Sequence, residues 1–254
     1  KNELLSPLSA ALCLALINNG AAGNTRAQIE NAFGMKTNEL NHSLYAYTAS
    51  LYSSDDCRVN IANSVWFKEN VLEIKPDFLQ TNADWYGAKA YESPFDRSTV
   101  EDINNWCYNN TQGKIKKIIN EIPADAVMYL INALDFDAKW EDKYNSKNVS
   151  DRIFHNYDGT ESTVKMLSSE ENGYLLSEDA VGFIKPYKDR KYNFVGILPN
   201  EDIDVYDFIE MAATELVATP EEADVIVSDD DTLKKDGVEI IHSYDFEKLL
   251  ALMN

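Results

Sequence analysis

The chain has 254 residues, of which 44% are hydrophobic, so it can bury a substantial core as one large domain or two small ones. Forty-three acidic against 23 basic residues give a formal net charge of −20, which repels phosphate backbones and anionic membranes and argues against nucleic-acid binding. The sequence contains no apolar run of about 18 residues, so no transmembrane helix is predicted within it. The seven prolines and ten glycines form no linker-like stretch, and we expect one domain over residues 1–254.

A helix is predicted near the start of the chain, directly after Ser6. Ser6 suits the N-cap, and Pro7 suits the first helical position, where a backbone N–H would have no partner anyway. One apolar stripe follows at helical spacing, formed by Leu8, Ala11, Leu12, Ala15 and Leu16. This stripe indicates a buried helix, which ends at Gly20.

More elements are predicted up to residue 113. Cys57–Lys68 is predicted as a strand because its apolar residues share one parity. Helices are predicted over residues 39–52, 76–86 and 98–111. The third begins with a capping box formed by Ser98 and Glu101 and is closed by Gly113. Because this helix directly precedes the next strand, we expect it to cover one side of that strand.

The next predicted strand, Val127–Trp140, organises the chain. Its even positions form an apolar face that is interrupted by Asn132 and otherwise consists of Met128, Leu130, Leu134, Phe136, Ala138 and Trp140. The odd positions are apolar at first and become charged from Asp135 onward. Both faces of the first half are therefore predicted to be covered, as in a strand that lies inside a large sheet.

Asn132 is the first candidate functional residue. A core-facing amide costs about 1–3 kcal/mol if it lacks partners, so polar groups must reach it from elsewhere. The hydroxyls of Ser6 and Ser9 are candidate partners, since both lie at the first turn of a helix predicted to be buried. The alternative is that Ser6 is an ordinary cap and Ser9 a surface serine, and the residues alone leave both open.

After Trp140 the pattern changes to short strands and then to helices. Strand-like runs cover residues 154–167, 173–176, 181–187, 192–199 and 224–228. Helices are predicted from Asp204 to Leu216, from the Thr219–Glu222 capping box, and at the end of the chain.

Six separate blocks resemble the serpin family, in this order and at about the family's spacings. They read LSPLSAALCLALINNGAAGNT near the start, NSVWF at 63–67, INNWCYNNTQGKI at 103–115, INALDFDAKW at 131–140, PYK at 186–188 and ILP at 197–199. Six blocks in register are much harder to obtain by chance than one. The terminal SYDFEKLLAL also resembles a helix of the family.

The resemblance implies an α+β fold with a large central mixed sheet, two smaller sheets and surrounding helices. It also implies suicide inhibition of a serine or cysteine protease. The protease cleaves a reactive loop, stays attached through an acyl bond and is dragged along as the loop inserts into the main sheet. The energy comes from a metastable, strained native state. By the same resemblance the protein is secreted or extracellular.

The resemblance also assigns roles to individual residues. Ser6, Ser9 and Asn132 match a polar cluster under the point where the main sheet opens. Trp140 matches the tryptophan at the top of the central strand, where insertion begins. The helix over 98–111 matches one that lies across the sheet and moves to let the loop pass.

The chain departs from the family pattern in several places. The resemblance implies that the first helix, the strand beside the insertion gap, the reactive loop and the last two buried strands are missing, and with them a histidine of the polar cluster. Asp135 stands where the family usually has an aromatic residue, and Val149 where it usually has threonine. We therefore expect a single serpin-like domain, incomplete at both ends, that does not inhibit by loop insertion without a companion C-terminal segment.

Met211–Thr219 is an alternative place for the reactive loop, because it is rich in small residues. The stripe from Val205 to Leu216 favours a helix there, with Ala212 and Leu216 buried. No reactive-loop residue can therefore be named.

The chain carries no enzyme signature. It has no G-x-S-x-G, H-E-x-x-H, P-loop or G-x-G-x-x-G motif, and His42, His155 and His242 lack metal-ligand spacing. We predict no catalytic residue, no cofactor and no metal. The expected function is a serpin-like protease inhibitor or the larger part of one, with a target protease as partner and neither nucleic acid nor membrane. Two alternatives stay open: a truncated or non-inhibitory serpin-fold binding protein, and an acidic protein-interaction domain.

Overall fold

The computed structural model describes residues 4–71, 73–156, 158–171, 173–215 and 226–228. The chain divides into two compact units, Lys1–Asp137 and Ala138–Asn254. That the two belong to a single domain stays a prediction. In the described ranges, no helix combines the length and the apolar character that crossing a membrane requires.

The first unit contains most of the helices and one sheet. Its described elements are α1 (Pro7–Gly20), α2 (Gly23–Phe33), α3 (Thr37–Ser50), β1 (Cys57–Lys68), α4 (Pro76–Tyr86), β2 (Lys89–Ser93), α5 (Arg97–Asn110) and β3 (Met128–Ala138). The sheet has the order β2–β1–β3, with β1 parallel to β2. The bounds of β1 and α4 are as predicted, whereas the sequence pattern predicts neither α2 nor β2. α2 has no fully buried residue, and its apolar side chains are few, with Phe33 packed partly buried against the core that α1, α3 and α4 form with the sheet.

The second unit is mainly antiparallel. Its described elements are β4 (Val149–His155), β5 (Glu161–Leu167), β6 (Gly173–Leu176), β7 (Ala180–Pro186), β8 (Asn193–Pro199), α6 (Val205–Glu215) and β9 (Ile226–Ser228), with short 3-10 helices at Ser146–Asn148 and Lys188–Arg190. β4 and β5 pair with each other, and a second sheet has the order β8–β7–β6–β9. The predicted strand-like run over 154–167 is thus not one strand, because it covers the end of β4, the turn and β5 of a hairpin.

Two apolar cores lie on opposite faces of the β2–β1–β3 sheet. The first core joins α1, α3 and α4 to that sheet and consists of Leu12, Ala15, Leu16, Leu40, Val65, Tyr86 and Ala88, with Met128 and Leu130 of β3 packed against them. The second core consists of Trp66, Phe95, Ile103, Trp106, Cys107, Ile131 and Ala133. Three of these residues belong to α5 and two to the odd positions of β3. The prediction that this helix covers one side of the central strand is therefore confirmed.

The more buried face of β3 is the odd one, which reverses the predicted preference for the even face. Ile131, Ala133 and Asp135 are buried, whereas the even Phe136 is 38% exposed. α5 covers the odd positions, while the first core covers the beginning of the even face. The apolar pattern misses this because Asp135 is polar and yet buried.

β3 lies at the edge of its sheet in the described part of the chain, and not in the interior as predicted. Alternation of apolar residues indicates which faces of a strand are covered, but it gives no information about the backbone groups along its edges. The outer edge of β3 thus pairs with no described strand.

The N-cap of α5 also differs from the prediction. The carboxylate of Asp96 accepts hydrogen bonds from the backbone N–H groups of Ser98 and Thr99, so Asp96 and not Ser98 is the cap. Glu101 pairs instead with Arg97, at 3.5 Å. An aspartate two residues ahead of the predicted start caps as well as a serine and adds a favourable charge at the helix N-terminus.

The predicted helix after Asp204 is present as α6, which extends through Glu215. This disfavours a loop beginning at Met211. Val205 and Ile209 of its apolar stripe are exposed. The predicted burial of Ala212 and Leu216, the second capping box and the C-terminal helix lie outside the described residues.

Candidate functional site

Asn132 lies in the middle of β3, on the face of the first core. Its Nδ2 donates to Oδ1 of Asn63 on β1 at 2.9 Å. Asn63 is buried, and its own Nδ2 donates to the backbone oxygen of Tyr86 at 2.9 Å. The Oδ1 of Asn132 is buried and accepts no hydrogen bond within the described part of the chain. The amide that sequence reasoning singled out is therefore half-satisfied, on a strand with an open edge.

Ser6 and Ser9 are not the hydrogen-bond partners of Asn132, contrary to the prediction. The hydroxyl of Ser6 caps α1 by accepting the backbone N–H of Ser9 at 3.2 Å, and both residues are half-buried. α1 meets Asn132 one turn later, where the backbone N–H of Asn132 donates to Cys13. One helical turn is a rise of about 5.4 Å, and in the described part of the chain neither serine hydroxyl bonds the Asn132 side chain, whose Nδ2 donates to Asn63 and whose Oδ1 has no donor. The role of these three residues in sheet opening stays a prediction.

A chain of side-chain hydrogen bonds continues from Tyr86 into the helices. The Tyr86 hydroxyl donates to Oδ1 of Asn41 at 2.6 Å. Nδ2 of Asn41 donates to Asn19 at 2.8 Å, and Nδ2 of Asn19 donates to Asn82 at 2.9 Å. Burial raises the pKa of the Tyr86 phenol, which keeps it neutral. The amide network is defined here as Asn19, Asn41, Asn63, Asn82, Tyr86 and Asn132.

Sequence reasoning missed Asn63, although a signal for it exists. Asn63 shares its parity with the apolar Ile61 and Val65 of β1, which is the same kind of interruption that marks Asn132. The helical asparagines of the amide network carry no such signal, because their contacts come from packing between helices.

Trp140 follows β3 by two residues and is described within the second unit. Its ring stacks on Tyr187, with 4.5 Å between ring centroids and an angle of 9° between planes. Tyr144 and Phe194 approach it in T-shaped geometry at 6.2 and 5.9 Å. An isolated antiparallel bridge joins the backbones of Trp140 and Tyr187. The segment after the central strand is thereby fixed to the end of β7.

A buried lysine lies beside this tryptophan. The side chain of Lys185, the next-to-last residue of β7, is 2% exposed, and its Nζ lies 2.5 Å from Oε1 of Glu171. Nζ is also 4.6 Å from the ring centroid of Tyr144 and 5.6 Å from that of Trp140, within the range of cation–π attraction. The Trp140 pocket is defined as Trp140, Tyr144, Glu171, Lys185 and Tyr187. Sequence reasoning found the tryptophan and missed the charged pair beneath it.

Neither described histidine belongs to the amide network or to the Trp140 pocket. His42 contacts the ring of Trp85 at 4.3 Å between centroids. His155 is exposed and lies 3.3 Å from Glu161. His242 is outside the described residues. Within the described residues, the first unit thus offers an edge strand with a buried acceptor, and the second a tryptophan stacked on Tyr187.

Comparison with known proteins identifies relatives over most of the chain. A family model described as Serpin (serine protease inhibitor) matches residues 1–240. Serpin-ZX of Arabidopsis thaliana is 26% identical over 234 residues, covering 86% of this chain and 59% of the relative. Serpin-Z2A of Triticum aestivum is 29% identical over 232 residues, covering 84% of this chain and 57% of the relative. The chain thus spans less than two thirds of the length of these curated relatives.

Solved structures show the same likeness. The native state of Tengpin, a thermophilic serpin, has a TM-score of 0.80 and 43% identity, covering 89% of this chain and 59% of the other. A serpin in a loop C-sheet polymer has a TM-score of 0.76 and 45% identity, covering 83% of this chain and 57% of the other. The predicted α+β serpin fold is confirmed by these structures. The chain belongs to the serpin family.

Proposed function

We propose that this chain is the larger part of a serpin-type protease inhibitor that accepts an inserting strand along the outer edge of β3. The observation that carries the proposal is the environment of Asn132. Its strand has no partner on the outer edge within the described residues, and its Oδ1 is buried without a donor. An added strand would supply backbone hydrogen bonds to β3 and could bring a donor to Asn132.

The proposed reaction is covalent trapping of a serine or cysteine protease. The protease nucleophile attacks a carbonyl of the reactive loop, the amine of the C-terminal fragment leaves with a proton, and an ester or thioester joins the loop to the protease. The freed loop inserts beside β3 from the Trp140 end. The protease is carried along and distorted before water can hydrolyse the acyl bond.

Residues of this chain prepare the sheet for that step. The bond between Asn132 and Asn63 holds β3 in register on β1. The Trp140 pocket anchors the segment after β3, where insertion begins. α5 covers the odd face of β3 and must shift for a strand to pass.

The partner is a target protease, and we propose that the protein acts on it outside the cell. Since the matched relatives are longer, the reactive loop and the remaining strands are expected on a companion segment of the natural polypeptide. The chain serves as an inhibitor and not as a catalyst, in keeping with the description of its family.

The test compares the natural polypeptide with the isolated 254-residue chain. Each is incubated with serine proteases of the trypsin and subtilisin types and with a papain-type cysteine protease, then run on denaturing gels. We expect the natural polypeptide to exceed 28.7 kDa, the mass of this chain, and to form an SDS-resistant complex. The isolated chain is expected to form none, because the reactive loop is expected on the companion segment.

Proteases with a blocked nucleophile serve as the control and must give no complex. A natural polypeptide that is cleaved by every protease without a complex would contradict inhibition and favour a non-inhibitory binding protein. A complex formed by the isolated chain would place the reactive loop within it, at Met211–Thr219.

A further inference from the structure

The segment that joins α5 to β3, residues 111–127, is called the connector. Four charged side chains meet where the connector lies against β3. Nζ of Lys114 lies 2.7 Å from Oδ1 of Asp135 and 3.1 Å from Oδ2 of Asp137. Nη2 of Arg58, on β1, lies 3.2 Å from the same Oδ2 of Asp137. These four residues are named the Lys114 latch, and they join the connector to two strands of the sheet.

Asp135 is the residue that makes the latch necessary. It is 4% exposed, and its Oδ2 is buried without a hydrogen-bond partner in the described part of the chain. A buried carboxylate is strongly destabilising unless a cation accompanies it. Lys114 supplies the cation, and its hydrogen bond to Asp135 raises the pKa of the lysine. Lys114 and Arg58 together lower the pKa of Asp137.

A hydrogen-bonded turn after α5 places Lys114 next to β3. Gln112 and Gly113 follow the helix with φ of 52° and 80°, both in the left-handed region. The N–H of Gly113 donates to the backbone oxygen of Tyr108 at 2.8 Å, and the N–H of Lys114 donates to that of Thr111 at 3.0 Å. A Cβ at Gly113 would approach the Tyr108 ring to 3.1 Å, so the tight reversal favours glycine there.

α5 and its connector form one hydrogen-bonded body. Oδ1 of Asn104 accepts the N–H groups of Ile118 and Ile119 at 2.8 and 3.2 Å, and its Nδ2 donates to the oxygen of Ile119 at 3.0 Å. This body is held to the sheet by the second core, by a hydrogen bond from Asn60 to Asn110, and by the Lys114 latch. The latch is the charged part of that attachment.

We propose that Lys114 is a positioning residue that holds α5 and its connector down on β3. Loss of the latch lets this body lift while the rest of the first unit stays folded. The relevance to inhibition rests on the proposed function, in which this helix moves to let a strand pass. The lifting itself can be measured without a protease, so failure of either idea is seen separately.

The experiment is amide hydrogen exchange followed by mass spectrometry on the 254-residue chain and on Lys114→Met. The matched control is Lys116→Met, which changes an exposed lysine of the same connector. Lys114→Met should raise exchange in α5 and the connector by roughly 10-fold or more, because a buried carboxylate loses its cation. Exchange in α1 should be unchanged, and Lys116→Met should match the wild type throughout.

An equal rise of amide exchange in α1 would show that Lys114 stabilises the whole first unit. Unchanged exchange in α5 would show that the ion pair does not hold this helix on the sheet. Either result overturns the proposal. If Lys114→Met does not fold, the wild type is compared at about 0.01 and 1 M salt, which changes the screening length from about 30 to 3 Å. At the higher salt concentration the ion pairs of the half-exposed Lys114 should weaken, and amide exchange should become faster in α5 and the connector alone. Exchange independent of salt would contradict the latch.

Discussion

The amide network in the first unit and the Trp140 pocket in the second both bury polar atoms, but they satisfy them with different chemistry. The amide network links neutral groups in series, from Asn132 through Asn63 and Tyr86 to the helical asparagines. The Trp140 pocket buries one ammonium against one carboxylate and two aromatic rings. Each contains a residue to which the family resemblance assigns a role: Asn132 under the point where the sheet opens, and Trp140 where insertion begins.

The difference lies in how each arrangement responds to damage. A neutral hydrogen bond contributes about 0.5–1.5 kcal/mol, and an unsatisfied amide costs about 1–3 kcal/mol, so a network of amides loses stability in small steps. Removal of one partner of a buried ion pair costs about 3–5 kcal/mol, because the remaining charge stays buried with neither a counter-charge nor water to solvate it. We therefore expect single substitutions to lower the unfolding free energy in small steps in the amide network, and by one large step in the Trp140 pocket.

The largest expected effect is that of Glu171→Ala. It leaves the buried Lys185 ammonium with aromatic rings alone, and it should cost about 3–5 kcal/mol of unfolding free energy in urea titration. The control is Glu170→Ala, which removes an exposed carboxylate one residue away and should change little. Adding Lys185→Met to Glu171→Ala should restore most of the loss. A double variant as unstable as the single one would show that the stranded charge is not the cause.

A medium effect is expected in the amide network. Asn132→Ala should cost about 1–3 kcal/mol, since it leaves the Oδ1 of Asn63 without its donor. In a double-mutant cycle, Asn132→Ala and Asn63→Ala should couple by at least about 0.5 kcal/mol, whereas Asn132→Ala and Ser9→Ala should be additive. Coupling to Ser9 with additivity at Asn63 would restore the original assignment of the serines as partners.

The smallest effect is expected at a partly buried carboxylate of the first unit, Glu30, which lies outside the amide network. Hydrogen bonds from Lys36 and Thr37 lower the pKa of Glu30 from 4.5 to about 2. Because the folded value is the lower one, the stabilisation is complete above the unfolded pKa and is lost as pH falls from 4.5 towards 2. The difference in melting temperature between wild type and Glu30→Gln should therefore shrink over this range. A difference that stays constant with pH would contradict the assignment.

The sequence predicted most elements and the two key positions, but not the partners of those positions. Asn132 and Trp140 could be found because each departs from or completes a strand pattern. Their contacts could not, because the turn of α1 that meets Asn132, and the placement of Lys185 of β7 beside Trp140, depend on register between elements distant in sequence. Asp135 was assigned to a charged, open half of β3, yet it is buried because Lys114 reaches it from 21 residues away. A residue pattern indicates whether a position is buried or exposed on average. It does not reveal a salt-bridge partner from a distant part of the chain that allows a charged residue to be buried.

The place of Asn41 in the amide network has a consequence for covalent modification. Asn41-His42-Ser43, Asn109-Asn110-Thr111 and Asn148-Val149-Ser150 each fit the acceptor pattern for N-linked sugar. Asn41 is 2% exposed, and its Nδ2, the atom that would carry the sugar, donates to Asn19. A glycan attached there before folding would keep α3 from packing on α1, whereas Asn109 and Asn148 are exposed and could carry one without disturbing the fold. A cell that glycosylates this protein therefore has two compatible acceptors, and use of the third would prevent folding.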